Sequence, residues 1–194
     1  MTSRSFLALL LVVPFIPVQA QASTAAAEQR LRSAVDDVLV ITNSASSRAA
    51  LVQKVSPVLQ KYISFETMTR RAVGVGWRQF SGAQQSQAVN LFTQLVIRTY
   101  SGKFTPGAQA VINFKTSTEP AAGRVDVPTD LVYNGSRYNV IYRMEQAGGT
   151  WAIADVVIEG VSMVANYRSQ LDATFKRGGA AAVISSLEQS VSRQ

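Results

Sequence analysis

The chain has 194 residues, a formal net charge of +7, no cysteine and no histidine. Without cysteine there is no disulfide, thiolate zinc site or cysteine nucleophile; without histidine the commonest general base and metal ligand is missing, which removes most hydrolase triads and zinc centres. The positive sign suits anionic partners, and arginine far outnumbers lysine, but the cations are scattered, with Arg70 and Arg71 the nearest thing to a cluster.

Arg4 precedes an apolar run over residues 6–18 that ends at Ala20 and Ala22 in an A-x-A-like pattern, which predicts a cleaved secretory signal peptide over residues 1–22. Pro14 and Pro17 interrupt the run, and it is shorter than the roughly 20 residues of a bilayer span; an uncleaved anchor is the alternative. Export argues against nucleic acid as a partner. Residues 23–194 are expected to form one domain.

The next stretch is helical by period. Leu31, Val35, Val38 and Leu39 share a stripe before a polar break at 43–47, and a second helix carries Leu51, Val55, Val58 and Leu59, with Pro57 expected to bend or restart it. Ser64 and Glu66 predict the start of a short helix ending near Val73, before Gly74 and Gly76. Ser81 and Gln84 form a capping-box pattern ahead of Ala88, Phe92, Leu95, Val96, Thr99 and Tyr100, a helix expected to end near Lys103. Pro106 and Gly107 mark a change of structural type.

From Ala110 the period becomes two, predicting four strands over 111–115, 124–133, 137–144 and 151–158. Asn134-Gly135 predicts a tight hairpin, and Gly148-Gly149 another turn, giving an antiparallel meander with one apolar and one wet face. After Gly160, Val164, Tyr167, Leu171 and Phe175 mark a helix that Gly178-Gly179 breaks before a last one with Val183, Ile184, Leu187 and Val191. Helices, then sheet, then helices predict an α+β domain with helices over one face of a four-stranded antiparallel sheet.

From Trp151 the chain reads W-A-I-A-D-V-V-I-E-G-V-S-M-V-A-N-Y-R-S-Q-L, which resembles the signature of the MlaC or toluene-tolerance family of periplasmic phospholipid-binding proteins. Trp151, Asp155, Val156, Glu159, Gly160, Val161, Ser162, Asn166, Tyr167 and Arg168 carry the likeness, supported upstream by Gly74, Trp77, the Ser81 to Gln84 helix start, Phe92 and Tyr100. Hopanoid-associated HpnM proteins share this wider family, and these residues do not separate the branches. The resemblance implies an NTF2-like fold with an apolar cavity for acyl chains and a head group near solvent. It also implies a monomeric periplasmic carrier with no cofactor beyond its phospholipid cargo, no metal and no catalytic residues. Its implied partners are an outer-membrane lipoprotein complex and, through an MCE-domain subunit, an inner-membrane ABC transporter, in the service of outer-membrane lipid asymmetry.

Such a cavity needs apolar lining from both layers. The inward candidates are Phe65, Met68, Phe92, Leu95, Val96, Tyr100, Val140, Tyr142, Ile153, Val157, Val161, Val164 and Tyr167, each of which reads equally as ordinary core. Arg70, Arg71, Lys103 and Arg143 are candidate contacts to a phosphate head group or membrane surface, because phosphate favours charge-assisted hydrogen bonds. Asp155 and Glu159 lie four apart on a strand, about 13 Å, too far to share a proton; a strand-to-helix corner, with Gly160 giving backbone freedom and Ser162 capping, accounts for them. Two other readings stand beside the carrier: an enzyme using Asp126, Asp130 or Asp155 with a tyrosine, and a periplasmic adaptor with a filled core.

Overall fold

The computed structural model describes residues 18–103 and 105–193, with side chains from residue 23. The expected leader over 1–22 therefore lies outside the described residues, except that the backbone from Val18 already belongs to the first helix. That helix, α1 (Val18–Ser44), buries Ala27, Leu31 and Ala34 on one stripe at helical spacing. The next, α2 (Arg48–Tyr62), starts at Ser47, whose hydroxyl accepts the Ala50 N–H at 3.2 Å. Pro57 does not restart it as expected: the helix runs unbroken through Pro57, which lies on an exposed face.

Helix α3 (Phe65–Val73) leads into a 3-10 segment (Gly74–Gln79), and α4 (Gly82–Ser101) opens with the full capping box between Ser81 and Gln84. Gly76 is dictated by contact: a Cβ there would lie 2.7 Å from the Phe175 ring. Trp77, Phe80 and Phe175 stack in series at 5.5 and 6.1 Å between centroids.

The sheet has six strands, not four: β1 (Ala110–Phe114), β2 (Thr118–Ala121), β3 (Arg124–Tyr133), β4 (Ser136–Ala147), β5 (Thr150–Ile158) and β6 (Val161–Ser162). It is antiparallel throughout, ordered β1-β3-β4-β5-β6, with β2 also on β3. The strand count missed β2, a four-residue edge piece containing Pro120, and β6, a two-residue return, because neither is long enough to show alternation. The mixed α+β class holds, whereas the NTF2-like description rests on the resemblance alone. Asn134 and Gly135 both have positive φ, at 48° and 76°, the geometry of the two-residue turn that joins β3 to β4. A register shift between Arg143 and Met144 bulges the β4–β5 ladder just before Asp155.

The last helix, α5 (Met163–Ser192), is interrupted where expected, at Gly178 and Gly179, which leave helical geometry. Helices α3, α4 and α5 pack on one another around one apolar cluster, and α1 lies on the sheet around another. Ile63, directly after α2, makes a parallel bridge with Ile153, and the Ser64 N–H donates to the Ile153 carbonyl at 2.9 Å, so the α2–α3 corner is stitched to β5.

Candidate functional site

The residues predicted to line a cavity sit in two packed groups. Phe65, Met68, Phe92, Leu95, Val96 and Val164 are buried in the helical cluster, with Tyr100 and Tyr167 half-buried against it; the Tyr167 ring meets Phe92 edge-on at 5.0 Å. Ile153 lies in the sheet cluster with Leu31, Val125, Val127, Met144 and Trp151, and Tyr142 packs against that group. Val140 and Val157 are buried on β4 and β5. Val161 is corrected: it is 62% exposed. Glu159 and Gly160, at φ +49° and +79°, turn the chain so that Val161 faces out and Met163 and Val164 face in.

The two clusters meet along a seam. Ile63 and Val156 pack against both of them, and they are the shared residues of the two groups. Apart from Val161, the expected lining residues thus fall in the two clusters or on the strands β4 and β5. Two clefts among the described residues lie elsewhere, on the surface between α2 and α4, with volumes of about 260 and 300 Å³. These reach only the lower end of the roughly 300 to 1,000 Å³ usual for a ligand site. Of the predicted residues, Lys103 alone lines either cleft.

The signature segment builds a corner. Asp155, 3% exposed, accepts from the Val156 N–H at 2.9 Å, the Val164 N–H at 3.0 Å, the Ser162 hydroxyl at 2.6 Å and Arg143 Nη1 at 3.1 Å. Its carboxylate therefore ties β4, β5 and the first turn of α5 together with every bond charge-assisted. Ser162 accepts from the Ala165 N–H at 3.0 Å as the cap of α5. The Glu159 carboxylate accepts the Asn139 N–H, and the Glu159 N–H returns to the Asn139 carbonyl at 2.9 Å. Arg168 lies over Gly74, where a Cβ would come within 3.3 Å of its Nε.

Burial pushes the Tyr142 phenol up to about 12. Tyr100 is also raised, first by burial and then by the neighbouring Tyr167. Burial likewise raises Tyr167, tempered by the Thr99 hydroxyl, which lies near but outside hydrogen-bond geometry. All three shifts favour the neutral phenol, as burial of the side chain does.

The predicted cations divide by partner. Arg71 on α3 pairs with Glu145 on β4, which also takes Arg124 at 3.1 Å, and Arg143 is committed to Asp155. Each of these two therefore satisfies a carboxylate of the fold. Arg70 is exposed on α3. Lys103 stands beside the cleft with Arg48 and Arg98, two cations the sequence reading missed because they lie 50 residues apart in the chain and meet only when α2 folds antiparallel to α4.

Among curated protein sequences none matches this one. Among solved structures the chain is similar to the phospholipid-binding protein of Ralstonia solanacearum in complex with a phospholipid, with 28% identity, a TM-score of 0.78, and coverage of 86% of this chain and 97% of that one. The family model described as MlaC protein matches residues 32–189, a span that runs from α1 through the two clusters, the Asp155 corner and α5, and on that match the chain belongs to the MlaC family.

Proposed function

We propose that the protein is a periplasmic carrier that holds the acyl chains of a phospholipid-like molecule between its sheet and its helical layer and moves it across the aqueous gap between two membranes. The observation that carries the reading is the seam at Ile63 and Val156: two complete apolar clusters face each other there, so a guest hydrocarbon can part them without opening either. The 28% identical protein with the same fold holds a phospholipid, and the leader-like residues 1–22 suit export.

The physical need is plain. Each methylene left in water costs about 0.8 kcal/mol, so a two-chain lipid with on the order of 30 methylenes loses roughly 20 kcal/mol without a carrier. Such a protein must match the bilayer closely without exceeding it, or release fails. An inner-membrane ABC transporter with an MCE-domain subunit and an outer-membrane lipoprotein complex are the partners that fit a shuttle serving outer-membrane asymmetry. The absence of histidine and cysteine supports binding rather than catalysis.

Native mass spectrometry of protein purified without detergent tests the reading and should find co-purified lipid. Val140→Trp and Val164→Trp, each filling one side of the parted layers, should lower lipid occupancy more than they lower the unfolding midpoint. The packing of both clusters on the shared Ile63 and Val156 also fits a second reading, a periplasmic adaptor with an ordinary filled core. Protein that is empty in every preparation and extracts no lipid from vesicles selects the adaptor.

A further inference from the structure

Helices α2 and α4 run antiparallel, and the two clefts between them join end to end, sharing Val52 and Arg98. At one end stand Arg48, Arg98 and Lys103; along the rest stand Ser56, Gln60, Asn90, Thr93 and Gln94, with Val52 and Ile97 at the floor. No carboxylate lines either cleft, and neither Arg48 nor Lys103 has an ion pair among the described residues. Three cations around one opening without a counter-charge favour an anion there.

The floor leads inward. Ile97 belongs to the helical cluster and Val52 packs on it, while the far end of α2 passes into Ile63, one of the residues common to both clusters. Helix α2 packs chiefly against α1 rather than α4, and its buried residues, Leu51, Val55 and Tyr62, belong to neither cluster. Fifteen helical residues span about 22 Å, more than the roughly 15 Å that one leaflet allots to an acyl chain. The polar rim makes the closed groove a poor resting place for hydrocarbon, so the chains must pass beneath α2.

We infer that the α2–α4 groove is the entrance for lipid, with Arg48, Arg98 and Lys103 holding the phosphate of a glycerophospholipid while its chains slide under α2 to the seam. This rests on the carrier reading and names the path and the head-group chemistry that reading leaves open.

The test uses the full processed protein, stripped of lipid and offered phosphatidylglycerol vesicles, with loading followed by native mass spectrometry. Arg48→Glu combined with Lys103→Glu should slow loading at least about tenfold, since even one lost charge-assisted contact is worth that much, whereas Arg177→Glu, on an exposed cation of α5 outside the groove, should change it less than about twofold. Arg98 is left intact because its Nη1 donates to the Val191 carbonyl at 3.1 Å and so helps hold α5. Ser56→Cys with Thr93→Cys, in a chain that has no other thiol, allows the groove to be bridged by a short methanethiosulfonate linker. Bridging should block loading, and reductant should restore it.

Unchanged loading in the double charge variant or in the bridged protein overturns the entrance while leaving the carrier reading intact, provided the parent still loads. A parent that never takes up lipid overturns both. Inorganic phosphate that binds through Arg48 and Lys103 by phosphorus NMR, with lipid loading indifferent to those residues, would mark a free-anion site and also end the proposal.

Discussion

Asp155 holds four donors within 3.1 Å while almost wholly shielded from water. Asp155→Ala should therefore cost about 3 to 5 kcal/mol in urea unfolding, because two backbone N–H groups, a hydroxyl and a guanidinium lose their common acceptor. Arg143→Ala should cost no more than about 1 kcal/mol, since Arg143 is half-exposed and Asp155 keeps three donors. The corner itself was legible from Glu159-Gly160 and Ser162; the bond set of Asp155 was not, because nothing in strand periodicity marks a carboxylate that turns inward at a bulge.

Tyr142 gives a test with a defined sign. Its phenol holds its proton up to about pH 12 in the folded chain, against about 10 when unfolded. Stability from this group is complete below pH 10 and is lost as pH rises toward 12, by roughly 2 to 3 kcal/mol. Unfolding midpoints measured from pH 9 to 12 should fall less steeply in Tyr142→Phe than in the parent; parallel curves would show that the phenol is not desolvated.

At the level of elements, the 3-10 segment and α5 meet face to face at Gly76 and Phe175. Gly76→Ala should cost about 1 to 3 kcal/mol through overpacking, and Phe175→Leu in the same chain should recover part of it, which thermal unfolding can read. Glu145 bridges Arg71 on α3 and Arg124 on β3. Being partly solvated, its removal in Glu145→Gln should lower global stability by only about 1 kcal/mol, yet quicken hydrogen exchange in α3 and, on the carrier reading, lipid exchange as well. The elements themselves were legible wherever a cap or glycine punctuated them: the Ser81–Gln84 box, the Asn134-Gly135 turn and the Gly178-Gly179 break all stand where the residues predict. Strands β2 and β6 escaped because they exist only as additions to β3 and β5, made by tertiary pairing and not by local preference.

For the molecule as a whole, the residues of the apolar interior were readable and their division was not. Period placed Phe92, Leu95 and Val164 inside, but the split into a helical and a sheet cluster depends on how the layers stack, which the pattern of one chain does not encode. The basic end of the groove escaped for a related reason, since Arg48 and Lys103 become neighbours only through the fold.

The stitching at Ile63 has a mechanical side. One tip of α2 is fastened there to β5, while the Tyr62 hydroxyl and the Lys61 ammonium both donate to Asp37 on α1, at 2.7 and 3.2 Å. The Arg48 tip returns to α1 through residues 45–47 and is anchored by Leu51, which is almost wholly buried. A swing of about 15° about the Ile63 tip would carry the Arg48 tip about 6 Å along its arc, so on the entrance proposal the passage beneath α2 widens only as Leu51 is drawn out of its packing.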